Sequence, residues 1–351
     1  MKILLGLCFL LGIANAALAA GPDDSPYSSE EVRFTSGRFV LVGTLLTPRS
    51  PAPHPVIIYV WGSGPTDIKT LIERSPMLKQ FLARDFAVLL YDKPGSGLST
   101  GELDNRHLFA DLAGILGDAT AWLQQHGGID PHAIGLYGSS QASYVMAVAL
   151  AHAHDVAFVI AWSCPMQNSV EQSAFLVRNY VLCDGGSEAQ ADSARQAYRQ
   201  RGRARSYAEY RDAAEILDHI PAIRDGLGWA GVMTEDQFTP PDSTAERFLD
   251  PSATVASLEI PVLALYAEND KQIDAAQGAA AYRHILKGAK QELSAVVMIP
   301  GADHNMNLSP RGCMQDQRDG YRAIGGAVMS TVFLKTVDEW LGRLKTYLGR
   351  S

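Results

Sequence analysis

The sequence predicts an α/β fold with a mostly parallel central sheet, and two observations support this prediction. Short, continuous apolar runs rich in β-branched residues recur along the chain, at 56–60, 86–91, 133–137, 156–161, 262–266 and 295–299. Such runs are typical of strands that are buried on both faces. Stretches with helical spacing of apolar residues lie between them, at 72–83, 108–125, 142–152 and 275–286. Alternation of strand and helix favours parallel strands joined by right-handed crossovers.

The composition is that of a globular protein and argues against a nucleic-acid partner. Of the 351 residues, 47% are hydrophobic and 19% are charged, which differs from the composition of disordered chains. The formal net charge is −8, whereas proteins that bind nucleic acid normally present a basic face.

The N-terminal residues have the pattern of a secretory signal peptide. Lys2 precedes an unbroken apolar run over 3–13, and the sequence at 17–19, Ala-Leu-Ala, suits signal peptidase. The run is well short of the roughly 20 residues that span a bilayer. We therefore expect residues 1–19 to be removed, and the protein to be exported to the periplasm or the medium without stable membrane insertion.

Two further segments complete the predicted organisation. A hairpin is expected at 32–34 and 39–46, and an amphipathic helix over about 327–348 is expected to pack on the sheet. Residues 165–258 interrupt the alternation, because they have helical spacing and no strand pattern, and they are too many for a crossover loop. We interpret this segment as a helical cap inserted into a core formed by residues 20–164 and 259–351.

Three cysteines remain after the predicted cleavage: Cys164, Cys183 and Cys313. An odd count allows one disulfide and leaves one thiol. If a disulfide forms in an oxidising compartment, the expected pair is Cys164 with Cys183, which are near in sequence. The sequence alone leaves the pairing open.

The strongest local signal for chemistry is the segment Gly138-Ser139-Ser140-Gln141-Ala142. It follows an apolar strand and precedes an apolar helix, which is the context of a nucleophilic serine on a tight strand-to-helix turn. Small residues two positions before and after Ser140 make such a turn possible. The amide of Gln141, at the start of the helix, can then face a developing oxyanion.

A second glycine-rich segment, Trp61-Gly62-Ser63-Gly64-Pro65, directly follows the first central strand. A tetrahedral intermediate needs two backbone donors, and in this context the second comes from the loop after this strand. We assign it to the amide of Ser63, with the amide of Gly62 as the alternative.

A serine needs a base to remove its proton and an acid to orient that base. Of the nine histidines, His304 is the one in a loop after the last predicted strand. The loop after the preceding strand supplies Asp270 as the expected acid, with Glu268 as the alternative. The order Ser140, Asp270, His304 suits this arrangement.

Other candidate residues are assigned structural roles. The turn at 91–99 contains Gly95-x-Gly97 but lacks the remaining features of a dinucleotide or phosphate loop, so we take Asp92 and Lys93 as structural. Asp303, beside His304, is also taken as structural. Two arginines of the predicted cap, Arg199 and Arg203, give a weak hypothesis of contact with anionic substrates.

Taken together, these motifs resemble those of the α/β-hydrolase superfamily. The nearest types are secreted bacterial esterases and peptidase-like hydrolases related to the cinnamoyl/feruloyl esterases and serine aminopeptidases. The resemblance implies triad roles for Ser140, Asp270 and His304, and an oxyanion hole formed by the Ser63 and Gln141 amides. The sequence departs from the pattern at Trp61, where many relatives have histidine, and after the serine, where Ala142 and Ser143 replace paired glycines.

The function expected from the sequence is hydrolysis of a carboxylic ester, a small-molecule ester or acyl compound, without a metal or organic cofactor. An exported peptidase or acyl-peptidase is the alternative within the same chemistry, and phospholipase or acyltransferase activity stays open. Dehalogenase and epoxide hydrolase chemistry is disfavoured, because it places an aspartate where Ser140 stands. A binding protein that has kept only the fold is the alternative outside catalysis.

Overall fold

The computed structural model describes residues 25–152, 155–227, 232–242, 245–286 and 293–349. One eight-stranded sheet runs through it, in the order β1-β2-β4-β3-β5-β6-β7-β8. The strands are β1 (Tyr27–Ser36), β2 (Phe39–Pro48), β3 (His54–Val60), β4 (Ala87–Tyr91), β5 (Ile129–Ser139), β6 (Phe158–Trp162), β7 (Val262–Ala267) and β8 (Ala295–Ile299). β1 and β2 pair antiparallel, as do β2 and β4, and all other pairs are parallel. The predicted α/β fold is confirmed.

Helices cover both faces of the sheet. They are α1 (Ile68–Arg74), α2 (Pro76–Ala83), α3 (Leu108–Gln124), α4 (Ala142–Leu150), α5 (Ser169–Cys183), α6 (Glu188–Arg203), α7 (Tyr207–Asp218), α8 (Pro221–Gly226), α9 (Ser252–Ser257), α10 (Ala275–Leu286), α11 (Met314–Arg318) and α12 (Thr331–Leu348). α3, α4 and α10 contribute to one apolar layer, and α2 and α12 contribute to the layer on the opposite face. The central strands β4 and β7 are therefore buried on both faces, as their apolar sequences require, whereas the edge strand β1 exposes alternate polar residues.

Capping residues move two helix boundaries away from the prediction. The single helix expected over 72–83 is two helices, α1 and α2, separated by Ser75. The Ser75 side chain accepts from the Leu78 N–H, and Pro76 is in the first turn of α2. Proline cannot continue a helix but is well placed to begin one. The last helix begins at Thr331 rather than near 327, because Ser330 caps it.

The segment predicted as a cap lies between β6 and β7 and holds α5 to α9. Side chains of α5, α6 and α7 form a small apolar core of their own, which includes Val177, Ala194 and Leu217. α6 begins with a capping box, in which Ser187 and Gln190 satisfy each other's backbone N–H groups. This segment thus has an apolar core of its own. The bounds of the cap at residues 165 and 258 remain a prediction.

The disulfide joins Cys183 to Cys313, so the expected Cys164–Cys183 pair is wrong. Cys183 is the last residue of α5, a helix of 15 residues. Such a helix extends about 22 Å, and Cys164 lies before its start. Cys164 is a free, buried thiol at the end of β6. The bond connects the predicted cap to the segment that precedes α11.

The predicted signal peptide, residues 1–19, lies outside the described residues, as does His154. Within the part of the chain that the structure describes, no helix has both the length and the apolar character needed to cross a membrane.

Loss of the disulfide is expected to destabilise the protein. Cys183 and Cys313 are 130 residues apart in sequence, so the bond restricts a long loop of the unfolded chain. The Cys183→Ser/Cys313→Ser variant should lose about 2–4 kcal/mol of unfolding free energy, measured by urea titration. A reductant should destabilise the wild type and leave this variant unaffected. Equal stability of the two proteins under oxidising conditions would contradict the assigned pairing.

Candidate active site

Ser140 lies on a sharp turn between β5 and α4. Its φ angle is 55°, in the left-handed region that a non-glycine residue rarely adopts. This conformation costs about 1–3 kcal/mol and persists only where the surroundings enforce it. Here the Ser140 N–H donates to the Ser163 carbonyl at 3.1 Å, and its carbonyl accepts from the Ser143 N–H at 3.0 Å. The turn leaves Ser140 half-buried at the carboxyl edge of the sheet.

Close packing explains the small residues on either side of this serine. A Cβ atom on Gly138 would lie 2.7 Å from the Cβ of Ala142 and 3.1 Å from the Cε of Met146. Atoms of these types do not approach so closely, so a side chain at position 138 would push α4 away from β5. The sequence pattern around Ser140 therefore reflects the contact between strand and helix.

His304 and Asp270 form a buried, hydrogen-bonded pair at the same edge. His304 Nδ1 lies 2.8 Å from Asp270 Oδ2, and both residues are buried. The other carboxylate oxygen of Asp270 accepts from the N–H groups of Gln272 and Ile273, at 2.8 and 3.0 Å. A carboxylate held in this way fixes the imidazole and favours the tautomer with its proton on Nδ1. Nε2 is then left with a lone pair.

The surroundings of His304 raise its pKa above the ordinary 6.5. Burial lowers the pKa, because it disfavours the imidazolium ion. The charge and hydrogen bond of Asp270, with the charge of Asp303, act in the opposite direction and prevail. The imidazolium form is therefore stabilised relative to a free histidine.

Two further carboxylates shape the loop that bears His304. Asp303 is fully buried, and its Oδ1 accepts from the N–H groups of Asn305 and Asn307 at 2.9 and 3.1 Å. Burial raises the pKa of Asp303. Glu268, the alternative acid, instead accepts from the Gly301 N–H at 2.8 Å. Both carboxylates accept from the backbone of the loop, whereas Asp270 is the carboxylate that accepts from His304 Nδ1–H.

Ser140, Asp270 and His304 follow β5, β7 and β8, whose carboxyl ends lie at one edge of the sheet. The acid and base are in contact, whereas no hydrogen bond joins the Ser140 hydroxyl to His304 among the described residues. Such contacts are often long before substrate binds.

The glycine-rich loop after β3 packs directly against the serine turn. A Cβ on Gly62 would lie 3.2 Å from the Ser139 carbonyl oxygen and 3.5 Å from the Cβ of Ser140. Neither the Ser63 N–H nor the Gln141 N–H donates to any acceptor in the described ranges. Two amides without partners thus border Ser140, at the positions where the sequence predicts oxyanion donors.

Three consecutive residues, the last of β4 and the two that follow it, brace this loop. The Tyr91 carbonyl accepts from Trp61 Nε1 at 2.8 Å. Asp92 Oδ1 accepts from Thr66 Oγ1 at 2.8 Å, so the loop is held at both ends. Between these contacts, Lys93 Nζ donates to the Gly62 carbonyl at 2.8 Å. The sequence predicts structural roles for Asp92 and Lys93, but no local pattern in it indicates that they hold the loop beside Ser140.

A cavity of about 390 Å³ opens beside the same loop. It is bordered by Trp61 and by Asn305, the residue after His304. Its other aromatic walls are Tyr59, Tyr137, Trp162 and Phe333. The cavity thus has aromatic walls, with Asp67 and Arg74 as charged lining residues, and it adjoins both loops of the candidate site. It has the size and character of a pocket for an apolar group of a small molecule.

The cap arginines are engaged with a carboxylate. Arg199 Nε lies 2.8 Å from Glu171 Oε2, and Arg203 Nη2 lies 2.6 Å from Glu171 Oε1. Glu171 is a shared anionic partner that accounts for their proximity, and the hypothesis of contact with anionic substrates stays a prediction.

The sheet order, the serine turn and the acid–base pair together describe the α/β class of hydrolases. The chain matches the alpha/beta hydrolase family over residues 60–315 and therefore belongs to it. No curated protein matches the chain in sequence.

Solved structures are similar in fold. An esterase of Pyrococcus furiosus, Pf2001, has a TM-score of 0.55 and 13% identity, over 90% of this chain and 91% of that one. The alpha/beta hydrolase GrgF of a Penicillium species has a TM-score of 0.51 and 18% identity, over 90% and 98%. An acylaminoacyl peptidase of Pyrococcus horikoshii has a TM-score of 0.47 and 15% identity, over 79% and 37%. At such identities the likeness shows the fold alone.

The raised pKa of His304 is expected to depend on Asp270. Asp270→Asn keeps the side-chain shape and removes the charge, so burial should then dominate and bring the His304 pKa below 6.5. NMR titration of the histidine ring carbons measures this pKa directly. Glu268→Gln is the control, since Glu268 contacts Gly301 and should not alter the titration. An unchanged His304 pKa in Asp270→Asn would contradict the assigned cause.

Proposed function

We propose that this protein is a serine hydrolase that cleaves carboxylic esters through an acyl-enzyme intermediate. Ser140 is the nucleophile, His304 the general base and acid, and Asp270 the residue that orients the imidazole. The Ser63 and Gln141 amides form the oxyanion hole. The protein's own residues supply every group that this chemistry requires, so the proposal includes no metal or organic cofactor.

One observation carries this proposal: the hydrogen bond of 2.8 Å between His304 Nδ1 and the buried Asp270 carboxylate. A buried imidazole with its proton fixed on Nδ1 keeps a lone pair on Nε2, which can accept a proton. Because its loop lies at the edge where the turn presents Ser140, the proton it accepts is that of the serine hydroxyl.

In the first half-reaction, Ser140 Oγ attacks the ester carbonyl carbon while His304 Nε2 takes the hydroxyl proton. The carbonyl oxygen becomes an oxyanion that accepts from the Ser63 and Gln141 N–H groups. Collapse of this intermediate breaks the bond to the leaving alkoxide, which takes the proton from His304. The acyl group then stays on Ser140.

In the second half-reaction, water attacks the acyl carbon while His304 Nε2 takes a proton from it. The bond from the acyl carbon to Ser140 Oγ then breaks, and His304 returns the proton to that oxygen. The products are the carboxylic acid and the free Ser140 hydroxyl. Because the base must be neutral, the raised His304 pKa places the acidic limb of the kcat/KM profile above pH 6.5.

The cavity beside the candidate site supports an ester rather than a peptide as the substrate. The aromatic cavity can receive an apolar acyl or alcohol group. An aminopeptidase needs a carboxylate to bind the substrate's amino group. The carboxylate that lines this cavity, Asp67, accepts from the Thr70 N–H at the start of α1. The cation of Arg74 lines the same cavity and disfavours a substrate ammonium there.

We also propose that the protein is exported to the periplasm or the medium. The support is the signal-peptide pattern of residues 1–19 together with the Cys183–Cys313 disulfide. Disulfides form and persist in oxidising compartments outside the cytosol.

Replacement of the nucleophile is expected to abolish covalent labelling. Ser140→Ala should not react with a fluorophosphonate probe, and its turnover of p-nitrophenyl esters should fall by roughly 10⁴-fold or more. Gel fluorescence and the absorbance of p-nitrophenolate measure the two effects.

Ser139→Ala, which changes the adjacent hydroxyl, serves as the control and should keep the label. Wild-type protein that folds but does not react with the probe would refute Ser140 as an activated nucleophile. Such a result would favour the binding-protein alternative.

The type of scissile bond is tested with matched substrates. Wild-type protein should release p-nitrophenol from acyl esters but no p-nitroaniline from aminoacyl anilides, because the cation of Arg74 lines the cavity beside Asp67 and disfavours a positively charged amino terminus there. Faster hydrolysis of the anilides would favour the peptidase alternative instead.

A further inference from the structure

Lys93 carries its ammonium group at a buried position, where a charge is unfavourable. The residue is 7% exposed, and its ammonium group donates to the Gly62 carbonyl. No carboxylate forms an ion pair with it among residues of the described ranges. Burial lowers the pKa of Lys93 to about 8. A buried ammonium without a counter-ion reduces stability, so its position calls for a functional explanation.

The geometry of the peptide group connects Lys93 to the candidate oxyanion hole. The carbonyl of Gly62 and the N–H of Ser63 belong to one trans peptide unit, since the only cis bond among the described residues is Ala52–Pro53. In a trans peptide the two groups point in opposite directions. An ammonium that fixes the carbonyl therefore also fixes the direction of the Ser63 N–H.

We propose that Lys93 is a positioning residue that orients the Gly62–Ser63 peptide for oxyanion binding. This inference rests on the proposed function. Lys93 does not touch the substrate but acts through the peptide between them.

Two physical effects favour an ammonium at this position. A hydrogen bond from a cation is stronger than one from a neutral donor, so it restricts rotation of the peptide more firmly. It also draws electron density toward the carbonyl, which makes the N–H at the other side of the peptide a better donor. Both effects matter most when negative charge develops on the substrate oxygen.

Two other hydrogen bonds already hold the glycine-rich loop in place, so orienting the Gly62–Ser63 peptide is a role distinct from supporting the loop. The Trp61–Tyr91 and Thr66–Asp92 hydrogen bonds hold the loop on both sides of Gly62. Without the ammonium the loop should keep its path, while the glycine-flanked peptide becomes able to rotate. A defect confined to the transition state is therefore expected.

The test compares Lys93→Met with Lys93→Arg in the full-length protein, with Lys79→Met, on an exposed position of α2, as the control. For Lys93→Met we expect kcat for a p-nitrophenyl ester to fall by about 10–100-fold with KM within about 2-fold, less than removal of a donor itself. Its affinity for an arylboronic acid, which forms a tetrahedral adduct on serine, should fall by a similar factor. Lys93→Arg restores the cationic donor and should recover most of kcat.

An unchanged kcat and boronate affinity in folded Lys93→Met would overturn the inference. So would a rise in KM alone, because it would indicate a role in ground-state binding. If Lys93→Met does not fold, Lys93→Gln replaces it as the neutral variant, and equal kcat for Lys93→Gln and Lys93→Arg would overturn the inference. Wild-type protein without esterase activity or probe labelling would refute the proposed function itself, which is a distinguishable result.

Discussion

The left-handed backbone at Ser140 is the constraint around which the carboxyl edge of the sheet is arranged. A serine resists this conformation, so its neighbours must enforce it. Gly138 and Ala142 allow β5 and α4 to approach closely, and the Ser163 carbonyl holds the Ser140 N–H. The same constraint presents the hydroxyl and the Gln141 amide at one place. A strained turn thus supplies two of the groups that the proposed chemistry needs.

Around this turn, the loops of the edge are fixed by contacts within each loop and between neighbouring loops. The brace formed by Tyr91, Asp92 and Lys93 holds the glycine-rich loop against Ser140. Asp303 and Glu268 accept from backbone N–H groups of the loop that bears His304. The proposed mechanism needs such support, because stabilisation of the oxyanion depends on donors and acceptors that do not reorganise during the reaction. These polar contacts all lie at the carboxyl edge of the sheet, next to the candidate site.

The sequence was informative wherever a local pattern determines the outcome. Apolar runs located the central strands, since burial on both faces leaves no room for polar residues. The strand–turn–helix pattern located Ser140, and loop order identified His304 and Asp270 as a pair that the structure brings into contact. In the same way, glycine spacing placed Ser63 in the loop beside Ser140.

Features that depend on contacts between residues far apart in sequence could not be predicted from local patterns. The disulfide partner of Cys183 was predicted wrongly, because a helix moves Cys183 away from Cys164 and toward a segment far along the chain. The brace was missed for a similar reason, as the contact between Lys93 and Gly62 joins loops that are 31 residues apart. A motif indicates that a lysine is present, but only the fold shows which carbonyl it reaches.

A crystal structure of the protein with a phosphonate bound covalently would test the central claim most directly. The account predicts an adduct on Ser140 Oγ whose phosphoryl oxygen lies about 2.7–3.1 Å from both the Ser63 and Gln141 nitrogens. His304 would keep its hydrogen bond to Asp270, and Lys93 would keep its hydrogen bond to the Gly62 carbonyl. An adduct on another residue, or a phosphoryl oxygen directed away from these two amides, would contradict it.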